Sequence, residues 1–328
     1  VGEFELLAKV RERLGAPGAR VVLGSGDDAA VTVPGGATAT SVDALVEGVH
    51  FRRDAATPAQ IGHKALATAL SDLAAMGAEP GEAYVVLGAP ADVGEEQALE
   101  LVEGLLALAA RTGTTLAGGD VTRAPALTLA ITVVGHAEGP EHLVPRSGAR
   151  PGDALVLTGE LGGAAAGLQL LERPDLAPGL PAETAGRLRR RQLEPTPRLA
   201  AGRALAAAGA RAMIDLSDGL GGDAGHVAAA SGARLRIEAA SLPLARGLAE
   251  VAAAAAIEPL QLATGHGEDY ELLAALPPER LAEATARIAE AGETTLTQVG
   301  EVEAGEGVEI RLPGGGTLTA GGYDQLAR

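Results

Sequence analysis

Two phenylalanines, three tyrosines, no tryptophan and no cysteine are spread over a chain of 328 residues. A core of the size that length allows must then be built from Ala, Val, Leu and Ile, and its elements are read from the period of those residues. The same scarcity leaves almost no stacking platform for nucleic-acid bases. Without cysteine there are no disulfides, no thiolate nucleophile and no Cys-ligated zinc.

Phe4, Leu7, Val10 and Leu14 fall on one helical face, which predicts an amphipathic opening helix over residues 3–14. "RVVL" and "AVTV" read as short strands, and "ATATSVDAL" alternates like a third. A helix over 58–76 starts with Pro58 in its first turn. "AYVVLG" is a strand, 95–111 a helix and "ALTLAITVVG" a long strand. At 146–153, "RSGARPGD" has the composition of a hinge, which divides the chain into domains over 1–145 and 146–328. The second half opens on the strand "ALVLTG" and a Gly-opened helix, followed by an Arg-rich, Pro-punctuated stretch over 173–198. Helices near 196–209, 219–230, 243–256 and 278–291 alternate with "RLRIE", "YELLAAL" and "GVEIRL". The interleaving suggests two α/β domains, with no internal repeat.

Lys and Arg number 26 against 43 Asp and Glu, a formal charge of −17. That field repels nucleic acid and anionic membranes. No apolar run approaches the roughly 20 residues of a membrane span, and the N-terminus lacks the layout of a signal peptide. The expectation is a soluble cytoplasmic protein with neither nucleic-acid nor membrane partners. Nearly all cations are Arg; Lys9 and Lys64 are the only lysines.

"VVLGSGDDAAV" at 21–31 sets Asp27 and Asp28 behind a Gly-Ser-Gly turn. Gly24, Gly26 and Ala29 fit a loose dinucleotide pattern, but that loop must open a helix, and here a strand follows. A protein-kinase glycine loop lacks its companion motifs, and there is no Walker sequence. Acids beside Gly or Ser recur at Asp43, Asp72, Asp120, Asp215, Asp218, Asp223, Glu268 and Asp269. Singly, each has an ordinary explanation. Asp27, Asp28 and the "GGD" at 118–120 suit turns, and Ser217 or Asp218 suits a helix cap. Together they suit a hard cation such as Mg²⁺, which takes carboxylates, substrate phosphates and water. Bound cations also reconcile an acidic protein with a phosphorylated ligand, because two unit charges about 4 Å apart repel by about 4 kcal/mol at an effective dielectric near 20.

"GSGDDAAV", "DALVEGVHF", "SDLAAMGAEP", "GGDVTR", "LSDGL" and "GEDYEL", in this order over nearly the whole chain, resemble the thiamine-monophosphate kinases of the aminoimidazole ribonucleotide synthetase superfamily. The resemblance implies a two-domain α+β architecture whose N-terminal domain pairs into a β-barrel across a homodimer. It implies ATP-dependent phosphorylation of thiamine monophosphate to thiamine diphosphate with several Mg²⁺ ions. Carried over by position, metal ligands fall on Asp28, Ser41, Val42 through its backbone, Asp43, Asp72, Asp120, Asp215 and Asp218, with Asp43 and Asp218 central to catalysis. ATP falls to Gly119, Asp120, Arg146 and Ser217, and to Val102, where relatives can place an aromatic ring against adenine. The thiamine side falls to His50, Glu268 and Tyr323. Two alternatives stand beside this: another oxygen-phosphorylating enzyme of the superfamily, and a module that binds Mg·ATP without transfer.

Overall fold

A computed structural model describes residues 3–14, 16, 18–25, 29–292, 294–318 and 321–322. The chain divides into two compact units, Val1–Leu73 with Ala78–Pro140, and Ala74–Gly77 with Glu141–Arg328.

In the first unit α1 (Glu3–Arg13) precedes a small hairpin of β1 (Val21–Leu23) and β2 (Val31–Thr32). There follow β3 (Ala37–Val46), α2 (Pro58–Ala75), β4 (Glu79–Ala89), α3 (Glu95–Thr112), β5 (Thr115–Arg123) and β6 (Thr128–Ala137). The sheet runs in the order β3-β6-β4-β5 and is open, antiparallel except for the β4/β5 pair. Thr57 and Gln60 start α2 by exchanging hydrogen bonds, each side chain accepting from the other's backbone N–H. Small residues let α2 and α3 touch backbone to backbone: a Cβ at Gly104 would fall on the Ala59 carbonyl, and one at Gly62 on that of Leu101. This helix pair covers the sheet face that carries Leu45, Leu129, Ile131, Val133 and Leu87. The other face leaves Val42 66% and Val86 45% exposed.

The second unit contains β7 (Ala154–Thr158), α4 (Gly163–Glu172), α5 (Ala182–Leu193), α6 (Leu199–Ala207), β8 (Ala212–Asp215), α7 (Leu220–Ser231) and β9 (Arg234–Glu238). It continues through α8 (Leu248–Ala255), α9 (Pro259–Gly265), β10 (Leu272–Leu276), α10 (Leu281–Ala291), β11 (Leu296–Glu303), β12 (Gly307–Arg311) and β13 (Thr317–Leu318). The strands order as β13-β12-β9-β11-β7-β10-β8, with only β12/β9 parallel. β7 and β10 are buried along their whole length, as continuous apolar strands in mid-sheet should be. Leu155, Leu157, Ile214, Leu235, Ile237 and Leu273 belong to its core, beside small helix residues such as Ala165 and Ala224.

Two largely antiparallel sheets make this an α+β protein, which corrects the α/β pattern suggested by the interleaving. β5 corrects a second expectation, since "GGD" lies inside a strand and not in a turn. Gly119 is required there because its Cβ would collide with the Val85 carbonyl of β4. Among the described residues no helix is long and apolar enough to cross a membrane.

Candidate active site

The first unit offers three groups of predicted residues. On β3, Ser41 and Asp43 lie on the helix-covered face and Val42 on the open one. The Ser41 hydroxyl donates to Asp72 of α2, and Asp43 accepts from the Ala44 amide at 2.8 Å. Beyond β3 the chain turns back through 47–51, where Gly48 takes φ +80 and its amide donates to the Phe51 carbonyl at 2.8 Å. His50 is fixed inside this turn. The Val46 amide donates to its Nδ1 at 3.1 Å, and Lys64 of α2 donates to its carbonyl at 3.2 Å. The third group is the wall of an apolar cavity of about 70 Å³, where Val102 of α3 meets Gly119 and Asp120 of β5 and Leu6 and Val10 of α1. The predicted nucleotide residues Val102, Gly119 and Asp120 therefore share one lining. Asp43 and Asp120 do not come together. They stand on opposite edges of the sheet, with β6 and β4 between them, about 14 Å apart at ordinary strand spacing. Register pairs Asp120 with Val86 of β4 and Asp43 with Ile131 of β6.

In the second unit the acids gather where β8 runs into α7. Asp215 ends the strand, Ser217 and Asp218 form the connection, and Asp223 lies in the first turn of the helix. The Asp223 carboxylate accepts both the Asp218 and the Gly219 amides at 3.0 Å, which locks the connection. Burial, with Asp215 and Asp218 adding like charge, pushes Asp223 up to about 8.

Facing this connection is the loop before β10. The Glu268 amide donates to the Ser217 carbonyl at 2.9 Å and the Tyr270 amide to that of Leu216 at 3.0 Å. A Cβ at position 267 would overlap the Ser217 carbonyl, so only glycine fits. Glu268 and Tyr270 are held at φ +69 and +51, strained for side-chain-bearing residues. Buried Gln192 of α5 donates to the Glu268 carboxylate. The next two acids have other tasks. Asp269 accepts the Gly162 and Ala164 amides at 2.6 and 3.0 Å at the start of α4, and burial lifts it to about 6 against the opposing pull of Arg191. Glu271 is fully buried and receives Arg198 through Nε at 2.8 Å and a terminal nitrogen at 2.6 Å, Arg191 at 3.0 Å and the Thr158 hydroxyl at 2.8 Å. Arg146 is exposed in the same unit. Asp28 and Tyr323 lie outside the described residues.

Comparison with known proteins identifies the family. Residues 26–137 match the N-terminal domain of AIR synthase related proteins, and residues 150–313 the C-terminal domain. A thiamine-monophosphate kinase structure from Stenotrophomonas maltophilia is 35% identical with a TM-score of 0.83, over 94% of this chain and 96% of that one. The chain belongs to the AIR synthase related family, in its thiamine-monophosphate kinase branch. A second member of that branch, solved as AaThiL complexed with AMPPCP and TMP, is 28% identical with a TM-score of 0.78, over 99% of this chain and 97% of that one. The thiamine-monophosphate kinase of Mycobacterium tuberculosis is 40% identical over 171 residues, 52% of this chain and 51% of the relative. In that comparison the chain spans about half the length of the curated relatives it matches.

For a member of this branch, the donor set suits a hard divalent cation. The acids and Ser41 offer only oxygen, and the mutual repulsion felt by Asp223 is what an inserted cation would relieve. Among the described residues no three acidic or imidazole side chains already form a closed ion cage. Asp223 stands among the recurring acids of the sequence without a role there, and its hold on the Asp218 and Gly219 amides is visible only in the fold. Gln192 carries no local signal and sits in the Arg-rich, Pro-punctuated stretch over 173–198.

Proposed function

We propose that the protein transfers the γ-phosphoryl group of ATP to thiamine monophosphate, giving thiamine diphosphate. The observation that carries this is the likeness over almost the whole chain to a relative holding AMPPCP, an ATP analogue, together with TMP. The 1–145 portion would hold the nucleotide and the 146–328 portion would complete the acceptor site. Val102, Gly119, Asp120, Arg146 and Ser217 would meet ATP, and His50, Glu268 and Tyr323 the thiamine side.

Asp28, Asp43, Asp72, Asp120, Asp215 and Asp218, with Ser41 and the Val42 carbonyl, would hold Mg²⁺. When bound, such ions neutralise the phosphate oxygens that would otherwise repel one another. What the chain itself supplies is position. The Asp223 bonds fix the direction of Ser217 and Asp218, and the Ser217–Glu268 backbone bond ties a nucleotide residue to an acceptor residue. No general base is needed, because the acceptor phosphate is already an oxyanion. The chain has no cysteine, and Nδ1 of His50 is occupied by the Val46 amide. Transfer is therefore direct and in line, without a phosphoenzyme.

The open sheet face supports the homodimer. Val42 and Val86 there, with Val22, Val31 and Val33 of the hairpin segment, expose apolar surface that a second copy would cover by closing a shared barrel. The cysteine-free chain, with its charge of −17, suits the cytoplasm.

The test is thiamine diphosphate formation from thiamine monophosphate and Mg·ATP. Binding of Mg·ATP with no product would instead mark a binding module. With a chirally labelled γ-phosphate, inversion on the product is expected; retention, or a phosphoprotein that goes on to product, refutes direct transfer.

A further inference from the structure

One of the two lysines of the chain is in the core. Lys64 is 2% exposed, on a stripe of α2 where Lys64, Thr68 and Asp72 recur every fourth residue. The far end of the stripe, Asp72, takes the hydroxyl of Ser41 on β3. The near end, Lys64, reaches past the end of the same strand to the His50 carbonyl at 3.2 Å. Burying an ammonium is unfavourable, and an apolar side chain would fill the same volume without that penalty. Its N–H donor has a use other than packing.

The bonds at His50 show that use. A backbone amide can only donate, so the Val46 N–H at 3.1 Å makes Nδ1 an acceptor and puts the neutral ring's proton on Nε2. The ring keeps this orientation only while the turn over 47–51 keeps its shape, and Lys64 grips that turn at the backbone of the histidine itself. We propose that Lys64 is a positioning residue that holds His50 in its Nε2-protonated form, and thereby sets the affinity for the phosphorylated acceptor. The proposal rests on the reading that His50 meets thiamine monophosphate.

The full chain tests it in two ways. In steady-state kinetics Lys64→Met should raise KM for thiamine monophosphate about tenfold and leave KM for ATP unchanged. Added to His50→Ala it should do no further damage, since it acts through that ring. Lys64→Gln keeps an N–H donor for the carbonyl and should stay near wild type. Independently of turnover, ¹⁵N spectra of histidine-labelled protein without substrate should show His50 protonated on Nε2, and Lys64→Met should convert it to a tautomer mixture. An unchanged KM in Lys64→Met, equal losses in Met and Gln variants, or losses that multiply with His50→Ala overturn the proposal. A wild-type ring protonated on Nδ1 overturns it whether or not any variant folds. A wild-type protein that makes no thiamine diphosphate refutes the functional reading instead, and the histidine spectrum still decides whether Lys64 holds the ring.

Discussion

Glu271 is the centre of a buried ion cluster in the second unit. It has no exposure, and its two oxygens take three guanidinium contacts and one hydroxyl, all between 2.6 and 3.0 Å. Glu271→Gln keeps the shape but removes the charge and points an amide N–H₂ at the guanidinium groups of Arg198 and Arg191. Breaking one side of a buried ion pair typically costs about 3–5 kcal/mol, because the remaining charge stays buried without compensation. For a unit of this size each kcal/mol lowers Tm by about 2–4 °C, so a drop of roughly 10 °C is expected. Urea denaturation followed by circular dichroism gives the free energy directly, with the m-value reporting whether the transition stays cooperative. A loss below about 1 kcal/mol, the worth of an exposed pair, would show that the cluster is solvated and would refute this account. Arg198→Met combined with Glu271→Leu should recover part of the loss, since an apolar pair leaves fewer orphaned charges.

Asp218→Asn should reduce turnover by roughly a hundredfold or more while leaving the melting temperature within a few degrees, because Asn retains shape but not the charge that holds a cation; wild-type activity at ordinary Mg²⁺ would remove Asp218 from the metal site. Asp223 titrates near 4 in the unfolded chain and at about 8 when folded, so the folded state holds the extra proton between those values. That stabilisation is complete below about 4 and is lost as the pH rises through 8, so Asp223→Asn should gain on wild type at pH 9 relative to pH 5 in metal-free thermal melts; parallel profiles would refute the assignment. Light scattering should find a dimer at micromolar concentration and a monomer for Val86→Arg, which sets a charge on the open sheet face.

Strongly periodic segments were legible. β3, α2 and β6 follow from the alternation of "ATATSVDAL" and "ALTLAITVVG" and from the apolar face opened by Pro58, because a half-buried strand or helix writes its exposure into its sequence. Elements whose cause lies in a distant partner were not. β5 needs glycine at 119 because the Val85 carbonyl of β4 leaves no room for a Cβ there, and from sequence alone "GGD" looks like a turn. In β11 a bulge between Gln298 and Gly300 breaks the alternation. α5 turns Arg187 and Arg190 outward and buries only Thr184, Leu188 and Gln192, too narrow a stripe to stand out. Strand direction was equally hidden, since the interleaved order of helices and strands is the same for parallel and antiparallel neighbours. The order of the acids was legible, but their division of labour was not. Asp223 and Asp269 spend their oxygens on backbone amides, which only the folded loops reveal.

The loop "GEDYEL" bears on how descendants of this chain should be judged. Of its three acids, Glu268 bonds the α7 connection through its backbone amide and takes Gln192 on its carboxylate, while Asp269 caps α4 and Glu271 anchors two arginines in the core. A lineage that gave up phosphoryl transfer would still have to keep the second and third acids merely to stay folded. Only position 268 would be at liberty to drift. A genome survey that scores the whole signature would thus weigh fold as much as chemistry, and on the proposed function the informative letters are Glu268, Asp43 and Asp218 taken together.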